Sequence, residues 1–385
     1  MKITMITTLL AIASLTFTGC KPGPDLTGST KVGEVKIELP DTEPVVAPSA
    51  DAAEEAKSVL LVINKASTES VEIGAYYRIK RQIPKENVLM ISVSRTENVS
   101  RSEYTSGIEA PIKEAIKNSK NKINYIVLTK GTPIRLENNA GFSVDGHLAS
   151  MNLPIQPIGE LNKENITRSQ NPYYGSTERF SSEKWNMYLV TRLTGYTVED
   201  AKKLVDNSLA AKRVDGPFFL DKAGNRTSGG YGQMEQMMER SYENLKTKGF
   251  DVQIDRDKDY ILPGRPLMGY CTWGSNDGAF NLDTYRKVKF LPGAICETFV
   301  STSGRTFEPT TGGQSLIADL IKNEVTGVKG YVSEPYTFAL AQPDILFDRY
   351  VEGFNLAEAF YAASLVIKWK DIVIGDPLCR PYAKN

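Results

Sequence analysis

The chain has 385 residues and carries 46 Lys plus Arg against 46 Asp plus Glu. That balance leaves no electrostatic footprint for a nucleic acid and no pull towards anionic lipid, so no nucleic-acid partner is expected. With a single histidine, His147, and no CxxC spacing, no metal site is expected either. No P-loop, GxGxxG or GxSxG element occurs, which argues against the commonest nucleotide-binding and serine-hydrolase chemistries, and no cofactor is expected.

The first twenty residues, MKITMITTLLAIASLTFTGC, join one early Lys to an apolar run too short to span a bilayer and then to small residues ending in Cys20. This reads as a secretory signal over residues 1–19. Residues 15–20 resemble a bacterial lipobox, which implies cleavage before Cys20, acylation of Cys20, and attachment to the cell envelope at the outer membrane or the periplasmic face. Residues 20–56 are rich in Pro, Asp, Glu and Thr without periodicity, as in an extended tether.

From residue 57 onwards the pattern changes to alternating strands and helices. Residues 58–64 (SVLLVIN), 87–93 (NVLMISV) and 123–129 (INYIVLT) are continuous apolar runs of the kind found in strands covered on both faces. Between them, residues 70–81 and 100–118 carry apolar residues at helical spacing, the second opened by a Ser-Arg-Ser-Glu capping signature. After Lys130-Gly131-Thr132-Pro133 a polar stretch containing SVDGHLA and QNPYYG runs to Phe180 and reads as a functional loop.

Residues 187–193 (MYLVTRL) and 216–220 (GPFFL) read as further strands, separated by a helix over 197–211 with Thr197 as its N-cap. A Met- and Glu-rich helix follows Gly229-Gly230 as far as about Lys248, and the Asp-rich segment 251–259 reads as a solvated connector. Next come two apolar runs that break into polar residues, LMGYCTWGSNDGAF and KFLPGAICETFVSTSGRTF. A helix near 314–323, a strand in GVKGYVSEPY, a helix over 355–369 and a closing IVIGDPLCRPY complete the chain. Such alternation predicts an α/β fold with a mainly parallel sheet flanked by helices, either one domain over 57–385 or two packed subdomains, 57–135 and 136–385.

The pair of runs around Trp273 and Cys296 resembles the catalytic half of the gingipain-type cysteine peptidases. In that family a Tyr-x-Gly-His-Gly-Ser strand end supplies the base and an Ala-Cys strand end the nucleophile. YIVLTKGTP, SVDGHLA, the strand and helix from Met187, and Gly375-Asp376-Pro377 resemble the same peptidases. Over residues 56–383 the chain also looks like a family of secreted bacterial proteins with KGTP, WGSND, ETFVSTSGRTF, SEPY and IGDPL stretches. The peptidase resemblance implies a caspase-like fold, with Cys296 in the nucleophile's place and Trp273 where the histidine would stand.

An active enzyme would therefore need a rearranged dyad of Cys296 with His147, oriented by Asp145 or Glu297. The competing reading is a buried Cys296 and an ordinary loop histidine. Cys271 and Cys296 end neighbouring runs, and a disulfide between them is left open. The residues following the apolar runs, Trp273, Ser275, Asn276, Asp277, Glu297, Ser303, Arg305 and Glu334, are expected to line one concavity suited to a peptide, glycan or protein partner, with Trp273 as a stacking plate. The function expected is that of a lipid-anchored envelope protein with a degenerate peptidase-like domain. The alternative is an active cysteine peptidase.

Overall fold

The computed structural model describes residues 50–137, 141–155, 163–257 and 259–383. The signal, Cys20 and most of the tether lie outside these residues. The last stretch read as tether instead forms the helix Ala50–Lys57.

Among the described residues twelve strands form in chain order: β1 Val59–Asn64, β2 Val88–Ile91, β3 Asn98–Val99, β4 Tyr125–Thr129, β5 Arg135–Leu136, β6 Leu189–Leu193, β7 Phe218–Asp221, β8 Val252–Asp255, β9 Leu267–Thr272, β10 Phe290–Thr298, β11 Gly327–Tyr331 and β12 Asp371–Gly375. Ten of them make one sheet in the order β2-β1-β4-β6-β12-β11-β10-β9-β7-β8, while β3 and β5 pair separately. Every residue of β1, β4, β6, β9 and β11 is buried, the pattern of strands covered by helices on both faces.

Neighbours are parallel within β2-β1-β4-β6 and within β11-β10-β9-β7-β8. Between these groups β12 runs antiparallel to β11 and meets β6 through the single pair Ile374 and Arg192. The segments that follow β4 and β11 meet through side-chain hydrogen bonds. Arg135, beyond β4, donates from Nη1 to the Val332 carbonyl beyond β11 at 2.7 Å, and the Ser333 hydroxyl donates to the Gly141 carbonyl at 2.6 Å.

Helix starts agree with their capping chemistry. Ser67 accepts from the Ser70 amide to begin Thr68–Arg81, and Thr197 with Asp200 forms a capping box at the start of Val198–Ala210.

Four sequence expectations change. The helix over 100–118 begins at Arg101 and widens into a π-helical segment, Tyr104–Glu109. Part of the polar loop is the buried helix Val144–Ala149, because Ser143 caps it and every side chain packs inward. The segment read as a solvated connector contains β8, whose Asp255 is buried directly opposite Asp221. The last helix stops at Ala362, and Pro343–Val351, with Pro at its first turn, forms a helix that the sequence reading passed over.

Candidate functional site

Cys296 lies inside β10 and is 0% exposed. Its thiol donates only to the neighbouring Glu297 carbonyl, at 3.7 Å. Burial, with the Glu297 carboxylate as a lesser cause, pushes the thiol well above its ordinary range, so the nucleophilic thiolate is disfavoured.

Trp273, just beyond β9, is 1% exposed. Its indole nitrogen donates to Glu235 Oε1 at 2.5 Å, and its ring meets the edges of Phe299 at 4.9 Å and Tyr231 at 5.7 Å between centroids. The ring is a packed core element and presents no free face as a stacking plate.

The rearranged dyad is not assembled. His147 is buried on Val144–Ala149, against Tyr104 and Phe142, and among the described residues its ring nitrogens are paired with Arg101 and Ser143 rather than with Cys296. Its Nε2 lies 3.2 Å from Arg101 Nη2, a group that can only donate, and its Nδ1 lies 3.1 Å from the Ser143 carbonyl, which can only accept. These contacts select the neutral ring protonated on Nδ1 and occupy the lone pair that a base would use. Burial first, then the Arg101 charge, lowers the imidazole to about 3. Asp145 does not orient His147, because both its oxygens accept from the Arg192 guanidinium, at 2.5 to 3.0 Å.

Cys271, Cys296 and Cys379 are all free thiols. The register explains the missing bridge. Cys296 pairs with Tyr270 and Cys271 with Glu297, so the two cysteines point to opposite faces of the sheet.

The polar residues after β9 and β10 serve as struts between two loops. Ser275 accepts from the Ser315 amide at 2.9 Å, Asn276 Nδ2 donates to the Phe299 carbonyl at 2.6 Å, and Gln314 Nε2 donates to Asn276 Oδ1 at 3.0 Å. Arg305 closes the same loop by donating to the Gln314 carbonyl at 2.7 Å and the Gly312 carbonyl at 2.6 Å. Asp277 accepts from the Ala279 amide, and Ser303 keeps a buried hydroxyl with no partner.

Glu297 turns to the opposite face from Cys296, where its Oε1 accepts from the Tyr331 hydroxyl at 2.6 Å; burial raises its carboxyl to about 8 against the lowering charge of Lys329. Glu334 is exposed; its carboxylate accepts from the Tyr336 amide and its carbonyl from the Lys370 ammonium. The structure thus brings Trp273, Ser275, Asn276 and Arg305 into one scaffold, but Glu297 and Glu334 stand apart from it.

An open cleft lies instead beyond the first strand group, with a volume of about 460 Å³. The order β2-β1-β4-β6 reverses its direction of growth between β1 and β4, the place where α/β sheets open a crevice. Loops after β1, β2 and β4 form its walls, and Asn64 clamps them together. Its amide nitrogen donates to the carbonyls of Val93 at 3.1 Å and Gly131 at 2.7 Å, while its oxygen accepts from the Val93 amide at 3.2 Å.

Gly131 has φ +86°, and a Cβ there would lie 2.3 Å from Ser67 Oγ, so this turn needs glycine to lie against the helix start. Lys130, Thr132 and Arg192 line the cleft, and sequence reasoning assigned none of them a role. The available signal was two apolar runs breaking at Asn64 and Thr129, followed by Ser67-x-x-Ser70 and Lys130-Gly131-Thr132.

One sheet of ten mainly parallel strands between helices, with a single antiparallel neighbour pair, defines a caspase-like α/β fold. The crystal structure of the Arg-specific cysteine proteinase gingipain R (RgpB) is similar to it, with a TM-score of 0.53 and 11% sequence identity over 84% of this chain and 78% of that one. A complex of the pro- and mature domains of Porphyromonas gingivalis RgpB is similar at a TM-score of 0.44 and 11% identity, over 84% of this chain and 79% of that one. No protein-family model matches the sequence, and no curated protein matches it. At this identity the likeness shows the fold alone.

Proposed function

We propose that this chain is a lipid-anchored cell-envelope protein that keeps a gingipain-like fold and acts by binding a peptide, glycan or protein partner, without cleaving it. The observation that carries the reading is the complete burial of Cys296 within β10 beside a packed Trp273. A cysteine peptidase needs an accessible thiolate and an imidazole within hydrogen-bond reach. Here the thiol is raised by burial, and the one histidine is held neutral by other partners. The cleft beyond β1, β2 and β4 is the seat favoured for the partner, since it combines depth with several convergent polar groups.

The test is to incubate the full-length chain, and the same chain with Cys296→Ala, with a mixed peptide library and follow new amino termini. Neither protein is expected to cleave. Hydrolysis by the parent that Cys296→Ala abolishes, with the circular dichroism unchanged, would establish the peptidase reading instead. Anchoring is tested separately: Cys20→Ser should move the protein from the membrane to the soluble fraction, and unchanged fractionation would remove the anchor.

A further inference from the structure

Four groups that can donate hydrogen bonds converge on the cleft beyond β1, β2 and β4. Thr132 is 4% exposed, lines the cleft, and has a hydroxyl with no hydrogen-bond partner. A buried hydroxyl without a partner costs stability unless something absent from the bare protein satisfies it. Lys130 is 7% exposed, also lines the cleft, and meets only the exposed Glu308, at 3.3 Å. Thr68 and Glu69 open the helix Thr68–Arg81, and their backbone amides have no hydrogen-bond partner among the described residues, since Ser67 Oγ serves the Ser70 amide. Free amides at the start of a helix this long carry partial positive charge into the space before them.

The remaining charges narrow the ligand. Arg95 is exposed on the wall and has no ion pair among the described residues. Arg192 is spent on Asp145, and Glu97 accepts from the Phe307 amide at 2.6 Å. Glu69 is the one lining carboxylate with no partner among the described residues, so it opposes a bare anion at the mouth.

We infer that this cleft is an oxyanion-binding site, in which the Thr132 hydroxyl, the Lys130 ammonium and the amides of Thr68 and Glu69 hold a carboxylate or phosphate group of the ligand. The inference rests on the reading of the chain as a binding protein and names the group recognised. The helix start supplies directed amides, Lys130 supplies the countercharge, and Gly131 lets the loop carrying Thr132 lie against Ser67.

The test titrates inorganic phosphate and, separately, acetate into the full-length chain by calorimetry, with the shift in melting temperature as a second readout. Saturable binding of either anion is expected; phosphate alone identifies a phosphoryl ligand and acetate alone a carboxylate. Thr132→Val and Lys130→Met should each weaken binding by about tenfold or more. Thr132→Ser, which keeps the hydroxyl, should retain it. Glu69→Gln should strengthen it by removing the opposing charge, a change that a purely structural role would not produce.

Absence of saturable binding for both anions, or binding unaffected by both Thr132→Val and Lys130→Met in folded protein, would overturn the site. Peptide hydrolysis followed on the same samples keeps the two readings apart. Cleavage dependent on Cys296 would refute the binding-protein reading, whereas failed titration with no cleavage would refute only the oxyanion site.

Discussion

The indole of Trp273 donates its hydrogen to Glu235 across 2.5 Å, joining the end of β9 to the long helix Gly229–Thr247. The ring fills a space between Phe299 and Tyr231, and Arg226 lies 5.7 Å from its centre. A position that resembles a catalytic base in sequence therefore holds helix and sheet together. Trp273→Ala should cost about 3 to 5 kcal/mol, as truncation of a buried aromatic does. Trp273→Phe should cost about 1 to 3 kcal/mol, because it removes the indole donor from a Glu235 carboxyl that keeps only the Ala223 amide and the nearby Lys222. Urea unfolding curves measure both. A loss for Trp273→Ala under about 1 kcal/mol would show that the ring is dispensable.

Restoring the histidine should not restore chemistry. Trp273→His places an imidazole at the strand end, but Cys296 remains within β10 with no exposure. No thiol-dependent peptide cleavage is expected from that variant. Cys296 should likewise resist iodoacetamide in the native protein and react only in denaturant, as mass spectrometry of the labelled chain will show.

The Arg192 and Asp145 pair is buried on both sides, and Arg192 also donates to the carbonyls of Thr132 at 2.8 Å and Pro133 at 2.6 Å. Asp145→Ala strands the guanidinium and should destabilise the fold by about 3 to 5 kcal/mol. Replacing both residues, Arg192→Met with Asp145→Leu, should recover part of that loss, since no unpaired charge remains. Equal losses in the single and double variants would show that the ion pair is not the source of the effect.

Stability should fall on both the acidic and the alkaline sides. The folded-state value of His147, about 3, lies below its ordinary 6.5, so its contribution is present above pH 6.5 and is lost as the pH falls towards 3. Glu297 is the opposite case. Its folded-state value, about 8, lies above its ordinary 4.5, so its contribution is present below pH 4.5 and is lost as the pH rises towards 8. Asp221, raised by burial to about 8, adds to the alkaline side. Urea midpoints taken from pH 4 to 9 check this. Glu297→Gln should flatten the slope between pH 4.5 and 8, and an unchanged slope would assign it elsewhere.

How much the sequence could show depended on whether a feature was written in local chemistry. The runs that became β1 and β4 are nearly continuous apolar segments, and their burial on both faces could be read directly because a parallel sheet leaves no polar side. The caps at Ser100 and Thr197 were equally legible, since an N-cap works through the amides that follow it in the chain.

Burial was not legible in the polar residues. Trp273, Glu297 and His147 read as site residues because loops after strands commonly carry function, and only packing against Glu235, Tyr331 and Arg101 made them internal. The same holds for the cleft. Asn64 is separated from Lys130 and Thr132 by more than sixty residues of sequence, and they meet because β1 and β4 are neighbours in the sheet. Local order follows from interactions within a few residues, which the chain itself specifies. A pocket or a closed strand end depends on which distant segments the tertiary fold brings together, and that was decided only by the packing of the sheet and its helices.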